Sequence, residues 1–92
     1  MSLTAASTVR PESEPAACFS VHAQAAPGIM PRVLELFAKR GLMPTSWISR
    51  VVGHELTIDV QICGLDRDTA GYIARCLRQV VGVDIVLTSE KR

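Results

Sequence analysis

The run WISRVVGHELTIDVQI, residues 47–62, holds two strands and the turn that joins them. Leu56, Ile58, Val60 and Ile62 alternate with Thr57, Asp59 and Gln61, the two-residue period of a strand with one apolar and one polar face. Gly53-His54 precedes this strand with the glycine first, which suits the II′ turn of a two-residue hairpin. Around such a turn Val51 opposes Leu56, Ser49 opposes Ile58 and Trp47 opposes Val60. Trp47 therefore belongs to the apolar face as a core residue, while Ile48 and Arg50 belong to the opposite face.

The flanking segments carry the same kind of signal. Phe19, Val21 and Ala23 alternate with Ser20, His22 and Gln24, so a strand precedes Pro27-Gly28. A helix follows to about Arg40. It tolerates Pro31 because the first turn has no intrahelical N–H bonds to lose. Gly41 stops it, and beyond Pro44 a strand occupies residues 45–52. After the hairpin, Asp66 is a suitable N-cap for a second helix to about Val81. Ala70, Ile73, Ala74, Leu77, Val80 and Val81 form its apolar face, Gly82 ends it, and Val83, Ile85 and Leu87 form a last strand. The order βαββαβ with right-handed crossovers predicts an α+β, ferredoxin-like sandwich, with a four-stranded antiparallel sheet and both helices on one face. Residues 1–16 read as a disordered lead-in, residues 17–89 as the domain and residues 90–92 as a tail. Placing Phe19, Val21 and Ala23 opposite Ile62, Val60 and Ile58 sets Cys18 opposite Cys63 on the open face, as free thiols.

Several function classes fall away on composition. A chain of 92 residues that is 48% hydrophobic supports one core, yet a domain this small buries only part of its surface and gains from a partner chain. The net charge of +1 gives no electrostatic footprint for nucleic acid or an acidic membrane. No apolar run approaches the ~18 residues of a membrane span. Cys18, Cys63 and Cys76 are odd in number and lack CxxC spacing, which disfavours disulfides or zinc and points to a reducing, cytoplasmic setting. The open-face residues Ser20, His22, Gln24, Glu55, Thr57, Asp59 and Gln61 include no aromatic side chain on which RNA bases could stack. Ala25-Ala26-Pro27-Gly28 offers no thiolate pair for a metal. His22 and His54 lie far apart and neither Ser20 nor Ser49 has a base beside it, so no catalytic residues, cofactor or metal are expected.

Two features suggest binding. The first helix has one apolar stripe for the core, Ile29, Val33, Leu36 and Phe37. A second stripe, Met30, Leu34 and Ala38, lies about 100° away. This second stripe either packs under the connection to the next strand or forms a dimer interface along that helix and strand, with part of Trp47; the interface is the preferred reading. Glu35 and Lys39 on the polar side are ordered correctly for a helical ion pair. The second feature is the helix N-terminus at Gly28. Exposed N–H groups there favour a carboxylate, and glycine permits close backbone approach.

At this loop the sequence resembles the ACT domain family. Pro27-Gly28-Ile29-Met30, Arg32-Val33 and Leu36-Phe37-Ala38-Lys39-Arg40-Gly41 look like its strand–loop–helix signature, and the likeness runs from Phe19 to Thr88. The nearest resemblance is to the small regulatory subunit of acetolactate synthase, in branched-chain amino-acid biosynthesis. The resemblance implies a non-catalytic regulatory or assembly subunit that forms a homodimer and binds a large catalytic subunit. The alternative it leaves open is a freestanding homodimeric amino-acid sensor. It implies effector contacts at Ala26, Pro27, Gly28, Ile29, Met30, Gly41 and Met43. In effector-binding members an Asn or Asp precedes the Pro-Gly, where this chain has Ala25 and Ala26. Another Asn follows the helix-ending glycine, where this chain has Met43. Any amino-acid effector is therefore expected to bind weakly.

Overall fold

Six elements run in the order β1 (Ala16–Gln24), α1 (Ile29–Ala38), β2 (Ser46–Val52), β3 (Glu55–Cys63), α2 (Arg67–Arg78) and β4 (Val83–Lys91) in the computed structural model, which describes residues 15–91. The strands form one sheet in the order β2-β3-β1-β4, antiparallel throughout. α2 lies against β4 and β1 and α1 lies beside α2, so with the strand order given α1 falls over the half of the sheet that holds β3 and β2. This is the βαββαβ sandwich that the alternation and the turn residues predict. The expected lead-in up to residue 14, and Arg92, lie outside the described residues. Ala16 is already part of β1 and is fully buried, and Glu90 and Lys91 are part of β4.

Phe19 and Val21 from β1 and Leu56, Ile58 and Val60 from β3 are buried against Val33 and Phe37 of α1 and Ile73 and Leu77 of α2. The Phe19 and Phe37 rings meet at 5.6 Å with a 59° tilt, the inclined contact that aromatic quadrupoles favour. Among the described residues no polar side chain is buried, so the core depends on apolar burial alone. The C-terminal ends of the helices are closed by backbone. Gly41, at φ 70°, lets its N–H reach the Ala38 carbonyl (2.9 Å) while Leu42 N–H reaches that of Phe37 (3.0 Å), a Schellman closure. The Asp66 side chain accepts the Thr69 N–H at 2.6 Å and starts α2, as its N-cap position predicts. α2 ends at Arg78 rather than near Val81, and Val81 is exposed. α1 likewise ends at Ala38, before Arg40.

The β2–β3 hairpin has the expected register, with Trp47 opposite Val60 and Gly53 at φ 62°. The β1–β3 register is displaced by two residues. Phe19 pairs with Val60, Val21 with Ile58 and Ala23 with Leu56; Cys18 faces Gln61, and Cys63 faces Ala16. A two-residue shift keeps every side chain on its own face, so alternation does not distinguish the two. The local backbone does. Ala26 N–H turns back to the Gln24 carbonyl at 2.9 Å and Ala25 N–H bonds to the His54 carbonyl at 3.0 Å, so β1 leaves the sheet before Pro27 and cannot supply the pairs the other register needs.

β4 departs from simple alternation. Ala23 pairs with Val83 but His22 pairs with Ile85, a bulge that leaves Asp84 unpaired. Val83 and Val86 consequently pack inward, whereas Ile85 and Leu87 stand exposed on the open face. The extra residue reverses the faces of everything after it.

Candidate functional site

The loop between β1 and α1 is held on three sides. Gln24 N–H bonds to the Gly82 carbonyl (2.9 Å) and Ala25 N–H to that of His54 (3.0 Å), while Ile29 N–H bonds to Ala26 (3.2 Å). The hairpin turn and the α2–β4 turn therefore fix the loop at one end of the sheet. Gly28 caps α1 at φ −81°, and no side chain caps the helix. A Cβ on Gly28 would meet only Arg32, at 3.8 Å. The chain itself does not require glycine there, and the exposed loop leaves the helix N-terminus open to an approaching anion.

The residues expected at an effector site fall into three groups. Ala26, Pro27 and Gly28 are exposed at the loop, with Met30 just inside the helix. Ile29 is a core residue, 2% exposed, so its side chain belongs to the fold and only its backbone borders the loop. Gly41 and Met43 lie beyond the other end of α1. A ten-residue helix is roughly 15 Å long, so one chain does not bring these two groups together. Met43 is 81% exposed and Ala25 and Ala26 carry no polar side-chain atoms, so the positions matched to the polar effector contacts supply none, and the charged side chain at the loop end is Arg32, beside Gly28.

The second stripe of α1 faces solvent. Met30 is 36% and Leu34 47% exposed, and Ala38 is exposed beside them. Pro31, Arg32, Leu34, Glu35 and Ala38 border a shallow depression of about 500 Å³. Trp47 is half-buried and packs against the core cluster. The neighbouring strand β2 is an edge strand whose residues from Ile48 to Val52 are all exposed. It has no bulge and no proline, and Arg50 is its sole charge. The opposite edge, β4, has a bulge and three charged residues, Asp84, Glu90 and Lys91, devices that discourage pairing. The two edges are thus unequal, and β2 is the one left able to accept another strand.

One contact was hidden from the sequence reading. Ser20 Oγ lies 3.2 Å from His22 Nε2, so a base does stand beside Ser20. Residues i and i+2 of a strand share a face, which was the available signal. The pair lies on the open face of the sheet and, among the described residues, no carboxylate bonds to the imidazole, so it lacks the third group that orients a catalytic base. Among the same residues no group of three or more metal-ligating side chains occurs, and no helix is long and apolar enough to cross a membrane.

An open helix N-terminus, an exposed helix stripe and an unprotected edge strand thus stand together on a ferredoxin-like sandwich. The model of the ACT-like domain matches residues 10–91, and the chain belongs to that family. ACT domains are regulatory rather than catalytic, and typically dimerise and regulate partner enzymes. Among solved structures, the chain is similar to the ACT domain of GTP pyrophosphokinase from Chlorobium tepidum. The TM-score is 0.73 at 16% identity, covering 83% of this chain and 99% of that one. It is also similar to the C-terminal domain of the MgtC protein from Mycobacterium tuberculosis (TM-score 0.70, 13% identity, 89% and 93% covered). A third similar structure is the ligand-free regulatory subunit of aspartate kinase from Thermus thermophilus (TM-score 0.62, 18% identity), where the match covers 80% of this chain and 50% of that one. At these identities the likeness is one of fold. No curated protein matches the chain in sequence.

Proposed function

We propose that the chain is a non-catalytic regulatory or assembly subunit that dimerises through β2 and α1 and binds a large catalytic chain in the cytoplasm. Its resemblance to the small regulatory subunit of acetolactate synthase makes an enzyme of branched-chain amino-acid synthesis the first partner to test. The observation that carries this reading is the coincidence of the unprotected β2 edge with the exposed Met30–Leu34–Ala38 stripe on the neighbouring helix. A two-fold axis at that edge pairs β2 with its copy and extends the sheet to eight strands. It also lays the two α1 helices antiparallel, which sets the Gly28 end of one beside the Gly41–Met43 end of the other. Two copies then assemble what one chain separates by roughly 15 Å.

A freestanding amino-acid sensor is the second reading, favoured by the open N-terminus of α1, where no side chain occupies the cap. Co-isolation separates the two. A catalytic chain recovered in stoichiometric complex, with activity that changes when the pure subunit is added, supports the subunit. An isolated dimer that recruits no enzyme but binds one of the twenty amino acids at micromolar concentration overturns it in favour of the sensor.

A further inference from the structure

We propose that the helix layer carries a docking surface centred on Tyr72, Arg40 and Arg75, which takes an acidic segment of a partner protein. Tyr72 lies on the outer side of α2 and is 48% exposed. The Arg40 guanidinium sits 5.0 Å from its ring centroid and that of Arg75 5.9 Å, both within the range at which a ring face attracts a cation. Arg40 comes from the turn after α1 and is fixed there by donating to the Leu36 carbonyl at 3.3 Å and, across to α2, to Cys76 Sγ at 3.7 Å. Two groups thus hold a long side chain that would otherwise lose its rotamer freedom only on binding. A guanidinium has five N–H donors, so Arg40 keeps donors for a carboxylate.

Charge on this layer is unbalanced. From Gly28 to Arg78 the helices and their caps carry Arg32, Lys39, Arg40, Arg67, Arg75 and Arg78 against Glu35, Asp66 and Asp68. On the strands the balance reverses, with Arg50 and Lys91 against Glu55, Asp59, Asp84 and Glu90. The ion pairs among the described residues are Lys39–Glu35 and Arg67–Glu90, so Arg40 and Arg75 have no carboxylate partner there. Helix-dipole compensation accounts for a basic residue in the last turn of α2. It does not account for an exposed tyrosine between two arginines, or for Arg40 reaching over from α1. Tyrosine and arginine are the types that concentrate binding energy at protein interfaces, and the guanidinium fork matches a carboxylate.

A protein segment fits better than a nucleic acid. There is one aromatic side chain in the cluster, Asp66 and Asp68 open the same helix, and the net charge of +1 provides no track for a phosphate backbone. α2 lies over β4 and β1, so dimerisation at the β2 edge leaves Tyr72 accessible. This surface rests on the reading of the chain as a partner-binding subunit, and it names where the partner docks.

Fluorescence anisotropy with a labelled glutamate-rich peptide tests it on the full native chain. A lysine-rich peptide and a single-stranded oligonucleotide of matched length serve as comparisons. The expected result is salt-sensitive binding of the acidic peptide that weakens by about tenfold or more in the Arg40→Gln/Arg75→Gln pair, the loss of at least one charge-assisted contact, and that also weakens in Tyr72→Ala, which removes the ring both guanidinium groups lie over. Arg67→Gln/Lys91→Gln removes the same charge at the start of α2 and the end of β4, away from this cluster, and should change affinity less than about twofold. Equal weakening by the two pairs, absence of binding, or tighter binding of the oligonucleotide overturns the proposal. If it fails while the chain still co-isolates with a catalytic chain, the subunit reading survives and only the location is lost.

Discussion

Ile29 Cδ1 stands 2.7 Å from the point a Cβ on Gly82 would occupy, and Gly82 holds φ at 99°. The first residue of α1 therefore packs into the space that the α2–β4 turn leaves by having no side chain. This contact, together with the Gln24–Gly82 hydrogen bond, sets where the helix N-terminus lies relative to the sheet. Gly82→Ala is expected to destabilise the fold by about 1–3 kcal/mol through backbone strain and crowding of Ile29. Gly53→Ala, at φ 62° with nothing within 4 Å, should cost less. In an Ile29→Val background, which removes Cδ1, the Gly82→Ala penalty should shrink; urea denaturation of the double-mutant cycle reads this coupling. Strict additivity would show that the two residues do not act on one another.

The Asp66 cap predicts a pH dependence at the acid end. Its carboxyl is held below the usual value of 3.8, chiefly by the hydrogen bond from the Thr69 backbone N–H. A carboxylate whose folded pKa is depressed stabilises the fold fully above its unfolded value, and loses that contribution as pH falls through the folded one. Asp66→Ala should therefore melt below the native chain at neutral pH, and the gap between them should narrow below about pH 3.8. A gap that is constant down to pH 2 would rule out the cap as its origin.

The β1–β3 register is open to direct measurement. Cross-strand nuclear Overhauser effects should connect Phe19 with Val60 and Val21 with Ile58 as directly opposed pairs. Direct opposition of Phe19 with Ile62 would restore the register expected from the sequence, with Cys18 beside Cys63.

The fold was legible wherever a local rule acts alone. Alternation at Leu56–Ile62, glycine at the start of the hairpin turn, Asp66 as a cap and Gly41 as a stop each determine their element from neighbouring residues. The features that escaped depend on longer-range choices. A two-residue slip of β1 leaves every face unchanged, and the bulge at Asp84 flips Ile85 and Leu87 with neither glycine nor proline at the bulge itself. The candidate site was legible in part for the same reason. Periodicity separates the buried Ile29–Val33–Phe37 stripe from the exposed Met30–Leu34–Ala38 one, whereas the fit of Ile29 against Gly82 joins positions more than fifty apart and the Ser20–His22 contact depends on a rotamer.

Effector affinity should be low in the isolated chain. Ala25, Ala26 and Met43 supply no polar side-chain atoms where the resemblance places them. Two missing charge-assisted contacts, each worth roughly 1.5–3 kcal/mol, weaken binding by about a hundredfold or more. Calorimetry with valine, leucine and isoleucine should show no micromolar site. Tight binding of any one of them would contradict this.

Dimerisation through α1 and β2 is the central claim, and sedimentation of the native chain beside Leu34→Glu tests it most directly. Leu34 is 47% exposed, so the substitution leaves the core intact and should preserve the circular dichroism spectrum. Placed in an interface, an unpaired carboxylate opposes association strongly. The native chain should sediment as a dimer and Leu34→Glu as a monomer of the same fold. A native chain that is monomeric at every concentration, or a Leu34→Glu variant that remains dimeric, would contradict the account.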